Sequence, residues 1–384
     1  MPAQSARPPL DLSSLRAELD AVLAPAIERG EVPSCVAIAG DADAAIAPIA
    51  HGVRRIGGPR AGADVRYDLA SLTKVVSTLP AVLRLASDGR LDLDAPLKEP
   101  FPNAGWFREP SLGERSARDL LTHSAGLPAW APYMGIASER RTVIGHALSA
   151  ELPTPHGEVA YSDLGFIVLG ALVERSCGSR QDAFVRDALY APLGLADHEL
   201  GYRPLRARGA ARPAPVPLAA TEACGWRMRL LEGEVHDEAA WTMDGVAGHA
   251  GLFGTAGALA RYAQAWLRRD PRLAAPELLD AATRRATPHG QPARGLGWVL
   301  AADGEEGDAT PEPASDWRGP RGFGHTGFTG TSLWIDPHAG RFCVLLTNRV
   351  HPSRHGGHGI AALRRAAHRV VFGPGSGPGN GDAA

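Results

Sequence analysis

Strand-like segments cluster at the two ends of this 384-residue chain and are scarce between them, so any sheet has to be assembled from both termini. An amphipathic helix is expected over residues 11–30, with Leu12, Leu15, Leu19, Val22, Leu23 and Ile27 at helical spacing and Gly30 as its stop. Strands are expected at Cys35–Ala39 and Ala45–His51, the second weakened by Pro48. The C-terminal third alternates like strands at Leu296–Leu300, Phe323–Thr326, Ser332–Ile335 and Phe342–Thr347. The last two bracket Asp336-Pro337-His338-Ala339-Gly340, a hairpin turn. Helices are expected over Gly254–Arg269 and Ile360–Val371. From Ser71 to about residue 230 the pattern is mainly helical, with Pro80 kinking the first helix and an irregular Ala/Pro/Arg crossing at 201–220. The expected class is α+β, an α/β sandwich. An antiparallel sheet formed by both chain ends and flanked by helices (1–68 plus 231–372) receives an inserted, mainly helical domain (69–230), and 373–384 forms a disordered tail. A site is expected in the cleft between the two parts.

Composition narrows the function. A formal charge of −2 gives no field suited to nucleic acid or an anionic membrane. The longest apolar run, Phe166 to Val173, is far short of a membrane span, and the N-terminus lacks an apolar stretch after a basic start, so a cytoplasmic protein is expected. Cys35, Cys177, Cys224 and Cys343 lie far apart without a C-x-x-C pair and are expected to be buried free thiols. Among forty basic residues only Lys74 and Lys98 are lysine. Arginine replaces lysine for solubility but holds its proton, whereas a desolvated lysine can release it, so a retained lysine is a candidate for chemistry.

Lys74 lies three residues after Ser71, at a loop-to-helix transition. On a helix that spacing puts a hydroxyl and an amine on one face, and amides at the helix start can stabilise an oxyanion. Ser71 is the candidate nucleophile and Lys74 its proton acceptor. Tyr161-Ser162-Asp163, at a turn before the apolar helix Leu164–Val173, offers a phenol to relay a proton and a polar side chain beside the substrate. The same pattern also fits a helix cap with a core tyrosine. Gly324-His325-Thr326-Gly327, followed by Phe328-Thr329-Gly330, is a small-residue strand along which a substrate backbone can lie, and the Phe328 amide is a candidate second oxyanion donor.

In this order and spacing the three motifs resemble those of the class C β-lactamase, penicillin-binding protein and serine esterase superfamily. Tyr67 to Lys74 resembles the first motif, Tyr161-Ser162-Asp163 the Tyr-x-Asn motif, and His325-Thr326-Gly327 the Lys-Thr-Gly motif; Asp119 to Leu127 and Pro192 to Leu195 also match. The resemblance implies catalytic roles for Ser71, Lys74 and Tyr161. It implies substrate contacts for Asp163, His325, Thr326, Gly327 and Phe328, and no cofactor. Gly233 to Glu238 and Gly245 to Phe253 resemble a subgroup that includes amidases of muropeptide recycling, with His236, Asp237 and His249 either lining the pocket or bracing it from beneath. The expected partner is a small-molecule or peptide substrate such as a muropeptide; the oligomeric state is left open.

Two departures bear on the substrate. His325 stands where the family has lysine, and Asp163 where it has asparagine, so capture of a substrate carboxylate is expected to be weak and esters or uncharged amides favoured. A penicillin-binding sensor with slow deacylation, a weak β-lactamase and a D-Ala-D-Ala carboxypeptidase remain alternatives. Three imidazoles in His351-Pro-Ser-Arg-His355-Gly-Gly-His358 raise a zinc site, but Pro352 and two glycines break the helical face that such a set needs, and no metal is expected.

Overall fold

The computed structural model describes residues 10–102, 107, 111–137, 139–205, 216–301 and 322–373. Its strands are β1 (Ser34–Asp41), β2 (Ile49–Gly52), β3 (Tyr67–Asp68), β4 (Leu200–Tyr202), β5 (Ala220–Cys224), β6 (Arg229–Glu232), β7 (Leu252–Gly254), β8 (Val299–Leu300), β9 (Phe323–Thr326), β10 (Ser332–Asp336) and β11 (Arg341–Thr347). The α-helices are α1 (Leu12–Glu28), α2 (Leu79–Ser87), α3 (Ala117–Leu121), α4 (Tyr133–Ile136), α5 (Arg140–Leu148), α6 (Asp163–Cys177), α7 (Gln181–Val185), α8 (Glu238–Thr242), α9 (Ala256–Leu267), α10 (Pro276–Ala282) and α11 (Ile360–Phe372).

The main sheet is antiparallel, in the order β2-β1-β11-β10-β9-β8, so the two ends of the chain do meet in one sheet. The join is the register Cys35 to Asp41 against Thr347 to Arg341. Helices α1 and α11 pack against each other, while α9 packs on β1, β10 and β11. Both faces are therefore covered, which explains why β1 is buried along nearly its whole length instead of alternating.

Several boundaries differ from the sequence reading. β2 starts at Ile49, because Pro48 cannot donate to a ladder. The segment expected over Leu296–Leu300 pairs only at Val299–Leu300, since Gly297 turns at φ +73°. β4 and the β5–β6 hairpin interrupt the stretch expected to be helical, and half of the expected crossing at 201–220 lies outside the described residues. The expected tail lies beyond them too, apart from Gly373. Near Pro80, Lys74–Thr78 forms a wide π-type turn before α2 begins at Leu79. Pro80 has no N–H to offer the Val76 carbonyl, and the buried Tyr190 hydroxyl donates to that oxygen instead (3.1 Å). Among the described residues no helix is long and apolar enough to cross a membrane.

Candidate active site

The nucleophile turn is built from Asp68. β3 pairs with β7, and the buried Asp68 carboxylate then accepts from the amides of Ala70 (2.9 Å) and His236 (2.6 Å). Burial raises the Asp68 pKa while the two amides oppose it, and their bonds fix the turn. Ala70 takes the left-handed conformation (φ +46°), reversing the chain so that Ser71 faces the cleft. The next amides close back, Thr73 N to Ala70 O at 2.9 Å and Lys74 N to Ser71 O at 3.0 Å, and put Lys74 under the serine.

Three side chains converge there. Lys74 Nζ donates to Ser71 Oγ at 3.0 Å, to Asp163 Oδ1 at 2.6 Å and to the His249 carbonyl at 3.3 Å. Tyr161 Oη donates to Ser71 Oγ at 2.9 Å, and Lys74 Nζ sits 4.9 Å from the Tyr161 ring centroid. The sequence suggests a lysine eased toward its neutral form by desolvation. Burial does press the Lys74 pKa down, but the Asp163 charge and Tyr161 outweigh it and the pKa is raised, so at rest Lys74 is an ammonium ion. Burial also pushes the Tyr161 phenol up to about 12 against the pull of Lys74, so it rests protonated.

Asp163 and Tyr161 are held by the start of α6. Ser162 caps that helix by accepting from Gly165 N, and its hydroxyl donates to Pro128 O at 2.7 Å. Ser162 thus caps the helix while its neighbours Tyr161 and Asp163 reach Ser71 and Lys74. His123 completes the wall: its Nδ1 accepts the Ser162 amide at 3.0 Å and its ring lies 4.7 Å from that of Tyr161. Burial drives the His123 pKa well below its ordinary value, keeping the imidazole neutral beside Lys74. His123 lies in the matching stretch Asp119 to Leu127, where nothing local marks it as a brace for Tyr161.

The opposite wall is the end of β9. A Cβ at Gly327 would lie 2.6 Å from Leu69 O and 3.4 Å from Ala70 Cβ, so only glycine lets the strand approach the nucleophile turn. Thr331 Oγ1 and Thr329 Oγ1 tie this strand end to the carbonyls of Leu69 (3.0 Å) and Asp68 (2.7 Å). Gly327→Ala is expected to cost about 1–3 kcal/mol of stability by overpacking; urea unfolding checks it, and an unchanged midpoint would show that the contact is loose. Thr326, Gly327 and Phe328 line the cavity. His325 does not: it is 1% exposed, its Nδ1 donates to Thr326 O at 2.7 Å, and its ring lies behind the wall, 6.2 Å from that of Tyr161. Among the described residues the amides of Ser71 and Phe328 have no hydrogen-bond partner, and both residues border the same cavity of about 500 Å³.

His249 and His236 brace the floor and one side. His249 Nε2 bonds Asp237 Oδ1 at 2.8 Å. Burial tends to raise the Asp237 pKa, but His249, the Ala240 amide and Lys74 hold it well below the carboxylate range. His236 Nε2 bonds Glu222 at 3.1 Å and its ring stacks on Phe328 at 5.7 Å. Both histidines are buried, yet they and Asp237 border the cavity. In the histidine-rich loop, His351 Nε2 accepts the Ile56 amide and Nδ1 donates to Thr221 O, which commits both ring nitrogens to holding the fold. Sequence reasoning missed Trp130, Arg349, Arg354 and Arg364, all of which line the cavity.

The cleft, with its serine, lysine and tyrosine converging beside the end of an antiparallel sheet strand, defines a serine hydrolase. The chain belongs to the Beta-lactamase family, whose model matches residues 19–368. It is similar to an N-acetylmuramyl-L-alanine amidase of Bacillus subtilis (strain 168), 34% identical over 319 residues that cover 74% of this chain and 68% of the relative. Among solved structures it resembles EstCE1, described as a hydrolase with promiscuous acyltransferase activity (TM-score 0.73, 20% identity, 94% of this chain and 99% of that one). It also resembles an octameric penicillin-binding protein homologue from Pyrococcus abyssi (TM-score 0.69, 18% identity, 95% and 78%).

Proposed function

We propose that this hydrolase cleaves an amide or ester through an acyl-enzyme on Ser71, and that its substrate is a peptide-bearing cell-wall fragment. The observation that carries the reading is the convergence of Lys74 Nζ (3.0 Å) and Tyr161 Oη (2.9 Å) on Ser71 Oγ. The amidase relative supports the substrate class.

The substrate carbonyl oxygen sits at the amides of Ser71 and Phe328, which stabilise the charge that develops on it. Ser71 Oγ bonds the carbonyl carbon. Its proton passes to Lys74 Nζ while Nζ hands one of its own protons to Asp163 Oδ1, so Lys74 stays charged and Asp163 stores the proton. When the intermediate collapses, Tyr161 Oη protonates the departing nitrogen or oxygen and is refilled from Asp163 through Lys74. Water then repeats the sequence on the acyl-enzyme, and Ser71 Oγ leaves with its proton restored.

A neutral fluorophosphonate tests the assignment. The expected result is one adduct per chain, mapped by mass spectrometry to Ser71, with hydrolysis of p-nitrophenyl acetate and of an N-acetylmuramyl-L-alanine amide lost in proportion to labelling. Turnover surviving complete labelling would sink the nucleophile. A persistent acyl adduct without product release would make the protein a sensor instead.

A further inference from the structure

Tryptophan buries most of its surface in folded chains, yet Trp130, on the wall of the catalytic cavity, is 50% exposed. Its backbone is nevertheless fixed. The carbonyl of Pro128 accepts from Ser162 Oγ (2.7 Å) and that of Ala129 from the Asp163 amide (2.9 Å), which ties the loop to the turn that carries Tyr161 and Asp163. Three residues after Trp130, α4 opens on the buried Tyr133 and packs against α8. Among the described residues the indole has no ring, cation or hydrogen-bond partner. Phe328, also half-exposed on this cavity, differs, because its ring already holds His236 at 5.7 Å and Arg349 at 4.7 Å. Trp130 is therefore a flat apolar face held in place and left open.

The same rim carries an acceptor. Asp237 caps α8, and its Oδ1 takes both the Ala240 amide (2.7 Å) and His249 Nε2 (2.8 Å). Oδ2 has no partner among the described residues, although the side chain lines the cavity and is 24% exposed. Arg227 fixes the backbone there, donating to the carbonyls of Val235 (2.6 Å), His236 (3.1 Å) and Asp237 (3.3 Å). Asp163 also bonds through Oδ1 alone, but that contact belongs to the proton path, and Glu238 is paired with Arg354 at 2.6 Å. A rigid ring face beside a fixed carboxylate oxygen matches a pyranose, whose C–H face is apolar and whose hydroxyls donate. The cavity, about 500 Å³, has room for such a ring beyond the scissile amide.

We infer that Trp130 and Asp237 form a saccharide subsite of the catalytic cavity, with a pyranose ring stacked on Trp130 and one of its hydroxyl or N-acetyl N–H groups donating to Asp237 Oδ2. The assignment rests on acyl transfer at Ser71 and narrows the cell-wall fragment to one that carries a sugar. In an N-acetylmuramyl amide the sugar bears the scissile carbonyl, so it belongs to the acyl half and stays in the cavity after the amine departs.

Two amides tested on the whole protein decide the matter. N-acetylmuramyl-L-alanine amide and (R)-2-methoxypropionyl-L-alanine amide share the leaving group and the ether-bearing carbon beside the carbonyl, and differ in the sugar. The readout is the ratio of their kcat/KM values, which cancels any general effect of a substitution on Lys74. The wild type is expected to favour the muramyl compound by about tenfold or more. Trp130→Ala brings the ratio toward one, while Trp130→Phe, which keeps a ring, retains part of it. Asp237→Asn, which keeps an acceptor but not the charge, lowers the ratio by about threefold or more. A wild-type ratio near one, no turnover of the muramyl compound, or a ratio unchanged in Trp130→Ala overturns the inference. Fluorophosphonate labelling separates the two readings: a labelled Ser71 with a ratio near one or unchanged defeats only the sugar subsite, whereas a wild-type chain that labels elsewhere defeats the nucleophile.

Discussion

Lys74→Met is expected to lower kcat by roughly 10⁴-fold, the scale on which members of a catalytic unit fail when removed singly. It is also expected to cost roughly 3 kcal/mol of stability. The two losses have separate causes. Lys74 is fully buried and is the counter-ion of Asp163 at 2.6 Å, whose side chain is 21% exposed. Removing the ammonium leaves a carboxylate among Tyr161, His249 and the nucleophile turn with nothing to balance it. Because the folded-state pKa of Lys74 is raised, its contribution is complete below the ordinary lysine value of 10.5 and is lost only as pH rises through the higher folded value. Urea unfolding at pH 7 therefore reads the whole effect. The double variant Lys74→Met/Asp163→Asn, which removes both charges, should recover most of the stability and none of the activity. Lys74→Arg keeps a charge but not an exchangeable proton, and should stay nearly as inactive as Lys74→Met. Recovery of both properties in the double variant would show that Lys74 only holds the fold.

How much of this is legible in the sequence depends on how far each residue reaches. Ser71 and Lys74 are three apart on a helical turn, so spacing alone puts them together. Tyr161 and Asp163 stand out because a capping serine with an apolar helix behind it fixes where a chain turns. The split sheet follows from short strand-like segments clustered at both ends of the chain. What escapes depends on tertiary placement. The resemblance to the Lys-Thr-Gly motif implies that His325 meets the substrate, but its side chain is enclosed behind the cavity wall. Arg349 and Arg364 are two arginines among many, and only the closure of the fold brings one onto Phe328 and the other onto the β9 carbonyls. The charge of Lys74 escapes for a related reason: desolvation is readable from an apolar neighbourhood, whereas a carboxylate 2.6 Å from Nζ is a fact of geometry.

Asp163→Asn is expected to change the pH dependence of acylation in a direction that separates two roles for Lys74. The substituted amide would keep a polar contact to Nζ but lose the charge that does most to hold the Lys74 pKa up, so burial prevails and that pKa falls. In the wild type Lys74 is charged throughout the neutral range, and with Asp163 as the proton store kcat/KM shows no limb from Lys74 between about pH 6 and 9. In the variant the store is gone. Ser71 can then give its proton only to the fraction of Lys74 that is a free amine, so a limb appears that rises with pH and has its midpoint below 10.5. At pH 6 the variant should be slower by roughly 10²-fold or more, recovering as the solution becomes alkaline. Ionisation of Tyr161 does not produce that limb, because its phenol is held near 12. Rates of p-nitrophenyl acetate hydrolysis across this range decide the matter, with Lys74→Met/Asp163→Asn as the control in which the limb vanishes. If Lys74 were instead a simple base in the wild type, the wild-type profile would already show the rising limb and Asp163→Asn would move it to lower pH and raise activity at pH 6; that outcome would remove Asp163 from the proton path and leave it only the task of holding Lys74 in place.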